Sequence, residues 1–124
     1  MKNKIKIIGM LAILMACVSF NMPNKRKIVT TTIKVEGSCG MCKDRIEEAL
    51  DVKYICKAIW NVDSENLVVK YRADKMDEIQ IHNIVAGVGH DTDKVKATDK
   101  GYANLPGCCR YREGAKCGHE KEDW

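Results

Sequence analysis

The spacing of apolar residues predicts four strands and two helices between residues 28 and 97. Apolar and polar side chains alternate in residues 28–36, as in a half-buried strand, and again in residues 58–62 and 67–71. The polar residues 63–66 supply a turn between the last two strands. Apolar residues recur at helical spacing in residues 41–51 and 74–87, and a short alternation in residues 93–97 predicts a final strand.

This order of elements, β-α-β-β-α-β, predicts an α+β domain of the ferredoxin-like class. In that arrangement a four-stranded antiparallel sheet carries both helices on one face. Trp60 and Tyr71 lie in strands and are expected in the core. Cys56, at the start of the second strand, is expected as a small buried apolar residue, and His82 is expected on the solvated side of the second helix.

Residues 1–20 are typical of a secretory signal peptide. The basic start MKNKIK precedes the apolar residues 7–20, which fall short of the roughly 20 needed to cross a bilayer. Leu14–Cys17 resembles a lipoprotein cleavage motif, so Cys17 is a candidate for lipidation. Ordinary cleavage a few residues later and a retained anchor are the alternatives. We expect an exported protein, periplasmic or held in the cell envelope as a lipoprotein, that contacts membrane only through its signal or lipid anchor.

Charge argues against a nucleic-acid partner. The whole chain has a formal charge of +4, and removal of residues 1–20 takes away Lys2, Lys4 and Lys6 and no acid. The remaining residues, with 18 basic and 17 acidic side chains, are nearly neutral. A nearly neutral domain lacks the basic surface that binds nucleic acid.

Two cysteines stand where the first strand leads into the first helix, in the stretch GSCGMC. Unpaired amides and the helix dipole at a helix N-terminus favour a negative charge, so Cys39 and Cys42 are expected to ionise readily. The thiolate both binds soft metals and attacks disulfides, so position alone leaves both chemistries open. No proline lies within residues 27–97 to match a thioredoxin-type site, and a plain Cys39–Cys42 disulfide is a further alternative.

Further candidate ligands follow the predicted domain. Residues 98–124 form a polar tail that contains Cys108, Cys109, Cys117 and His119. Adjacent cysteines make a strained ring if bridged to each other, so Cys108 and Cys109 are expected to face a shared partner. The tail is expected either to fold over the Cys39/Cys42 loop, to form a second metal site, to form disulfides, or to be disordered; we favour metal binding by Cys108 and Cys109.

His90 is a separate candidate, on the loop after the second helix. One interpretation makes it a third metal ligand or a gate beside the Cys39/Cys42 loop. The other makes it an exposed loop histidine at a helix C-terminus, where positive charge is favoured.

Residues 27–97 resemble the heavy-metal-associated domain family of copper chaperones, mercury-binding periplasmic proteins and P-type ATPase N-termini. The segments GSCGMCKDRIEEAL, IWNVDSENLVVKY and IVAGVGHDTDKVKA carry the resemblance. It implies that Cys39 and Cys42 are the metal thiolates. The family usually has a buried methionine two residues before the first cysteine, where this chain has Gly37.

We therefore expect a protein that binds and transfers a soft metal ion in the bacterial cell envelope. Cu(I) is the expected ion, with Zn(II) or Hg(II) as alternatives, and the expected partner is a metal-transporting membrane protein or efflux component. The sequence contains no carboxylate pair, no base beside a nucleophile and no phosphate-binding loop. We therefore do not expect an enzyme. The alternatives are a small thiol–disulfide oxidoreductase with Cys39 as nucleophile and a disulfide-stabilised envelope module that docks a partner through its sheet.

Overall fold

The computed structural model describes residues 25–114, which contain an antiparallel sheet of three strands. The strands are β1 (Ile28–Lys34), β2 (Ile55–Trp60) and β3 (Asn66–Arg72), in the spatial order β1-β3-β2. The predicted hairpin is confirmed, because β2 and β3 pair directly. Strand β3 is central because it pairs with both β1 and β2, and its alternate residues Leu67, Val69 and Tyr71 are all buried.

Two helices pack on one face of this sheet. Helix α1 is Gly40–Ala49 and helix α2 is Glu78–Gly87. Their inward residues Cys42, Ile46, Ile81 and Val85 join a single core with Trp60 and the buried face of β3. Burying these side chains on the same side of the sheet supplies most of the driving force for folding. The predicted α+β class and the core positions of Trp60 and Tyr71 are therefore confirmed.

The predicted fourth strand is wrong within the described residues. Residues 93–97 form no strand, and a single bridge between Val35 and Thr92 is the remnant of edge pairing. The chain folds back on itself here, since the Thr92 amide donates to the Val95 carbonyl at 2.8 Å. The Ala97 amide donates to the Asp91 carboxylate at 2.7 Å, so a side chain takes the place of a neighbouring strand.

Helix α2 begins four residues later than the pattern of apolar residues predicts. Asp77 is its N-cap, and the side chains of Asp77 and Gln80 form a reciprocal capping box. Asp74, the predicted first helical residue, instead pairs with Arg72 at 2.7 Å. A local cap and an ion pair thus determine where the helix begins. The spacing of apolar residues carries no information about either interaction.

Two predictions of burial are wrong. Cys56 is exposed because β2 shifts its register between Ile55 and Lys57, leaving the intervening residue unpaired at a bulge. His82 is fully buried, not solvated, because the loop after α2 covers it. Its Nδ1 lies 2.7 Å from the Thr92 hydroxyl, which supplies a polar partner inside the fold.

The first part of the predicted tail is folded. Residues 98–114 form α3 (Asp99–Ala103) and two 3-10 turns at Gly107–Cys109 and Tyr111–Glu113. Tyr102, Leu105 and Cys109 are buried and belong to the same core as the sheet. The segment is therefore packed on the domain and extends it.

No helix among residues 25–114 is both long and apolar enough to span a lipid bilayer. The predicted signal peptide of residues 1–20, with Cys17, and the candidate ligands Cys117 and His119 lie outside the described residues.

Candidate metal centre

The CxxC motif lies at the start of α1, as the sequence predicts. Cys39 is the N-cap residue in extended conformation, with φ −162° and ψ 179°. Its carbonyl accepts hydrogen bonds from the amides of Cys42 at 3.0 Å and Lys43 at 3.1 Å. This turn brings the two side chains together at the positive end of the helix, so that the Sγ atoms of Cys39 and Cys42 are 3.9 Å apart.

The tail adds two more sulfur atoms to this pair. The Sγ of Cys109 lies 3.9 Å from that of Cys39 and 3.9 Å from that of Cys108. The Sγ atoms of Cys39, Cys108 and Cys109 all lie within 4.8 Å of one another. Cys108 also contacts the Met41 thioether, with Sγ and Sδ 3.4 Å apart. We call the Sγ atoms of Cys39, Cys42, Cys108 and Cys109 the sulfur cluster.

The spacing of the sulfur cluster fits a soft metal ion. A tetrahedral thiolate site with metal–sulfur bonds of about 2.3 Å places its sulfur atoms about 3.8 Å apart. Three sulfur pairs, Cys39–Cys42, Cys39–Cys109 and Cys108–Cys109, are each 3.9 Å apart and match that requirement. Cys42 is not part of the group whose sulfur atoms all lie within 4.8 Å of one another. Thiolates are the ligands that select Cu(I) and zinc over hard cations.

Most of the sulfur cluster is buried. Cys42 and Cys109 are fully buried, Cys39 is 6% exposed, and only Cys108 reaches solvent appreciably. Burial and a hydrogen bond with Cys42 raise the pKa of the Cys109 thiol to about 12, against an opposing hydrogen bond from Arg45. Metal binding must therefore displace a proton from Cys109 if this residue is a ligand.

Cys39 takes part in a disulfide in this structure, whereas Cys42 does not. The disulfide between Cys39 and Cys42 that the sequence left open as an alternative is therefore not formed in this structure. Cys39 is available as a metal ligand only after that disulfide is reduced, since the thiolate is the form that binds metal.

His90 is buried, which overturns the alternative of an exposed loop histidine. Its Nδ1–H donates to the Glu36 carbonyl at 2.8 Å, and its ring stacks on Tyr111 at 5.4 Å between centroids. Burial is the main cause that lowers the pKa of His90. Its buried Nε2 has no hydrogen-bond partner among the described residues. His90 is outside the sulfur cluster, so its role as a third ligand or gate stays a prediction.

Solved structures with the same fold include several metal-binding proteins. A CopZ metallochaperone is 29% identical over 52% of this chain and 98% of its own, with a TM-score of 0.50. Oxidized MerP from Ralstonia metallidurans CH34 is 20% identical over 54% of this chain and 96% of its own, with a TM-score of 0.51. The HMA domain of a copper chaperone for superoxide dismutase is 14% identical over 62% of this chain and 76% of its own, with a TM-score of 0.52.

The predicted resemblance to heavy-metal-associated domains is confirmed. No protein-family model and no curated relative matches the chain. About half of this chain aligns with the CopZ metallochaperone, which itself is covered almost entirely.

Trp60 explains the departure of this chain from the heavy-metal-associated pattern at Gly37. A Cβ atom at residue 37 would lie 2.8 Å from Cη2 and Cζ2 of Trp60 and 3.2 Å from Cβ of Cys42. The indole is fully buried, and its Nε1–H donates to the Val35 carbonyl at 3.0 Å. Trp60, the last residue of β2, thus fills the space beneath the CxxC loop.

Several residues that shape the centre were not predicted from the sequence. Ser38 donates from its Oγ to the Cys108 carbonyl at 2.8 Å, and the Cys42 Sγ lies 3.7 Å from the same Oγ. Because the single Ser38 hydroxyl hydrogen is directed to Cys108, the Cys42 thiol is the donor in the second contact. Arg45 on α1 hydrogen-bonds the Cys109 thiol and so favours its ionised form. A basic residue three positions after the second cysteine was the available sequence signal.

Proposed function

We propose that this chain binds a soft metal ion through Cys39 and Cys42 and passes it on by thiolate exchange. The observation that carries the proposal is the pair of Sγ atoms 3.9 Å apart at the N-terminus of α1. A helix N-terminus stabilises the negative charge of thiolates, and two thiolates on one turn favour a single shared ion. The likeness to a solved metallochaperone at 29% identity supports the same conclusion.

Cu(I) is the proposed ion. The centre offers sulfur ligands from cysteine and the Met41 thioether, and these soft donors suit Cu(I) better than hard cations. Burial of the sulfur atoms also keeps water away from the ion. Zn(II) and Hg(II) are the alternatives, since both accept thiolate ligands.

The proposed setting is the cell envelope, with a metal-transporting membrane protein or efflux component as partner. The basic and apolar residues 1–20 support export. Thiolate exchange requires the partner to offer thiols of its own, so the partner's site is expected to contain cysteines as well. The proposed role is binding and delivery, with no chemical conversion.

Anaerobic titration of the reduced full-length chain with Cu(I), against a chromogenic Cu(I) chelator, tests the proposal. Wild type should withhold about one Cu(I) from the chelator, and Cys39→Ser with Cys42→Ser should lose most of that ability. Cys56→Ser is the matched control, because Cys56 is exposed on β2 beyond the opposite end of α1. Failure of reduced wild type to retain Cu(I), Zn(II) or Hg(II) would overturn the proposal.

A thiol–disulfide oxidoreductase is the second candidate, and the disulfide of Cys39 is the observation that favours it. Such an enzyme reduces insulin disulfides without metal and loses this activity in Cys39→Ser but not in Cys56→Ser. If metal-free wild type reduces insulin at a rate that depends on Cys39, this candidate replaces the metal-delivery proposal. A disulfide-stabilised module is distinguished from both, because reduction alone would unfold it.

A further inference from the structure

The segment 98–114 holds two thiol groups against the CxxC motif. We propose that this segment completes the metal centre from within the same chain, so that Cys108 and Cys109 bind the ion together with Cys39 and Cys42. The inference rests on the proposed function and deepens it, because it changes a two-thiolate centre into a closed one. A closed centre retains its ion, whereas an open pair releases it readily to a partner.

Distances within the sulfur cluster carry the first step. Cys109 is fully buried, with its Sγ 3.9 Å from that of Cys39, and Cys108 is within 4.8 Å of the same atom. The 3-10 turn Gly107–Cys109 presents the two adjacent side chains to one region of space. Ser38, next to Cys39 in the CxxC loop, helps to fix this turn by donating to the Cys108 carbonyl.

A second set of contacts fastens the segment beside the cluster. Arg112 makes a bidentate ion pair with Asp91, with nitrogen–oxygen distances of 2.6 and 2.9 Å, and donates to the Ala97 carbonyl at 2.9 Å. Bidentate pairs of this kind are the strong, geometrically specific ones. Tyr111 accepts from the Asp91 amide at 2.8 Å and donates to the Gly89 carbonyl at 2.7 Å.

These contacts join the segment to the loop after α2, and we call them the latch. Asp91 is 6% exposed, so its pair with Arg112 is largely removed from water. The Arg112 guanidinium also lies over the Tyr102 ring, 4.4 Å from its centroid. Side chains of the segment are thus locked on one another as well as on the domain.

The latch should slow the release of the metal ion from the centre. Two thiols held in place by the fold act at a high effective concentration, so they outcompete a free thiol or chelator for the ion. A partner must displace Cys108 and Cys109 before it can reach Cys39 and Cys42. Loosening the latch should therefore weaken metal retention although no ligand is removed.

X-ray absorption spectroscopy of the reduced, Cu(I)-loaded full-length chain tests the ligand count. Wild type should show three or four sulfur neighbours, and Cys108→Ser with Cys109→Ser should show two. The double variant should also lose roughly tenfold or more in Cu(I) affinity measured by chelator competition. Cys56→Ser should match wild type in both measurements.

Arg112→Gln tests the latch, with Lys94→Gln as its charge-matched control. Each substitution removes one cation from an ion pair with a carboxylate, but Lys94 is 55% exposed and pairs with Glu78 at the start of α2, away from the segment 98–114. Arg112→Gln should release Cu(I) to the chelator several-fold faster than wild type, and Lys94→Gln should not. Circular dichroism should show that both variants remain folded, and Arg112→Lys should restore part of the retention.

The outcomes separate this inference from the proposed function. Two sulfur neighbours in wild type, with unchanged affinity in Cys108→Ser plus Cys109→Ser, would overturn the closed centre and leave the CxxC proposal standing. Equal release rates in Arg112→Gln and Lys94→Gln would overturn the role of the latch. Loss of all Cu(I) binding in wild type would overturn the proposed function itself.

Discussion

The ring of Trp60 occupies the space that a side chain at Gly37 would need, with Cη2 only 2.8 Å from a Cβ built at that position. The ring is buried and its Nε1–H is hydrogen-bonded to the Val35 carbonyl, so it has little freedom to move aside. The glycine before the CxxC motif and the tryptophan on β2 therefore form one packing unit beneath the metal centre.

We predict that Gly37→Ala destabilises the protein by about 1–3 kcal/mol, because the added methyl group overpacks a filled core. Chemical denaturation of the reduced, metal-free chain measures this change. Gly40→Ala is the matched control, since a Cβ at residue 40 meets no atom within 4 Å. The cost of Gly37→Ala should shrink in a Trp60→Phe background, and an undiminished cost there would contradict the packing explanation.

A second pair of glycines tests the packing of the loop after α2, which the latch joins to the segment 98–114. Gly89 has a φ of +100°, and a Cβ there would lie 2.8 Å from the Gly101 carbonyl oxygen and 3.0 Å from Leu105. Gly89→Ala should therefore lose about 1–3 kcal/mol of stability through backbone strain and overlap. Gly87→Ala, two residues earlier, places its Cβ in open space and should be neutral or slightly stabilising. Equal stabilities of the two variants would refute this account.

Burial of His90 predicts a loss of stability in mild acid. Burial lowers the pKa of His90 from 6.5, an effect that Arg45 reinforces and that the Glu36 carbonyl and Asp91 oppose. As pH falls below 6.5 the unfolded chain binds a proton that the folded chain resists, so the free energy of unfolding decreases by up to about 1.4 kcal/mol per pH unit. Above that pH both states are neutral at His90 and the effect vanishes.

Denaturant unfolding of the reduced, metal-free chain between pH 7.5 and 5 measures this dependence. His90→Gln should be less stable at pH 7.5 but should show a flatter pH dependence than wild type. An unchanged slope in His90→Gln would assign the acid sensitivity to other groups.

Exposure of Cys56 predicts its preferential modification. Among the described cysteines that lie outside disulfides, Cys42 and Cys109 are buried, whereas Cys56 stands at the bulge of β2. Brief treatment of the folded, metal-free chain with iodoacetamide should therefore modify Cys56 well before Cys42 or Cys109, as peptide mass spectrometry would show. Cys56→Ser should change stability by less than about 0.5 kcal/mol. Rapid labelling of Cys109 in the folded chain would show that the segment 98–114 opens readily.

Hydrophobic periodicity was a good guide where packing onto the sheet sets the structure. The inward faces of β1, β3 and the two main helices follow the alternation and the helical stripes of the sequence. Periodicity was a poor guide at Cys56 and His82, because a bulge and a covering loop decide their burial. The expected fourth strand failed for a related reason, since side chains of the loop satisfy amides that a strand would pair.

The sequence by itself determined the order of the main elements and the position of Cys39 and Cys42 at a helix start, since both follow from local spacing. Tertiary structure alone decided that Cys108 and Cys109 lie beside that pair and that Arg112 meets Asp91. Such contacts join residues about 20 to 70 positions apart, and no local pattern of apolar and polar residues encodes them. They depend on how the segment 98–114 packs against a core that must already be folded.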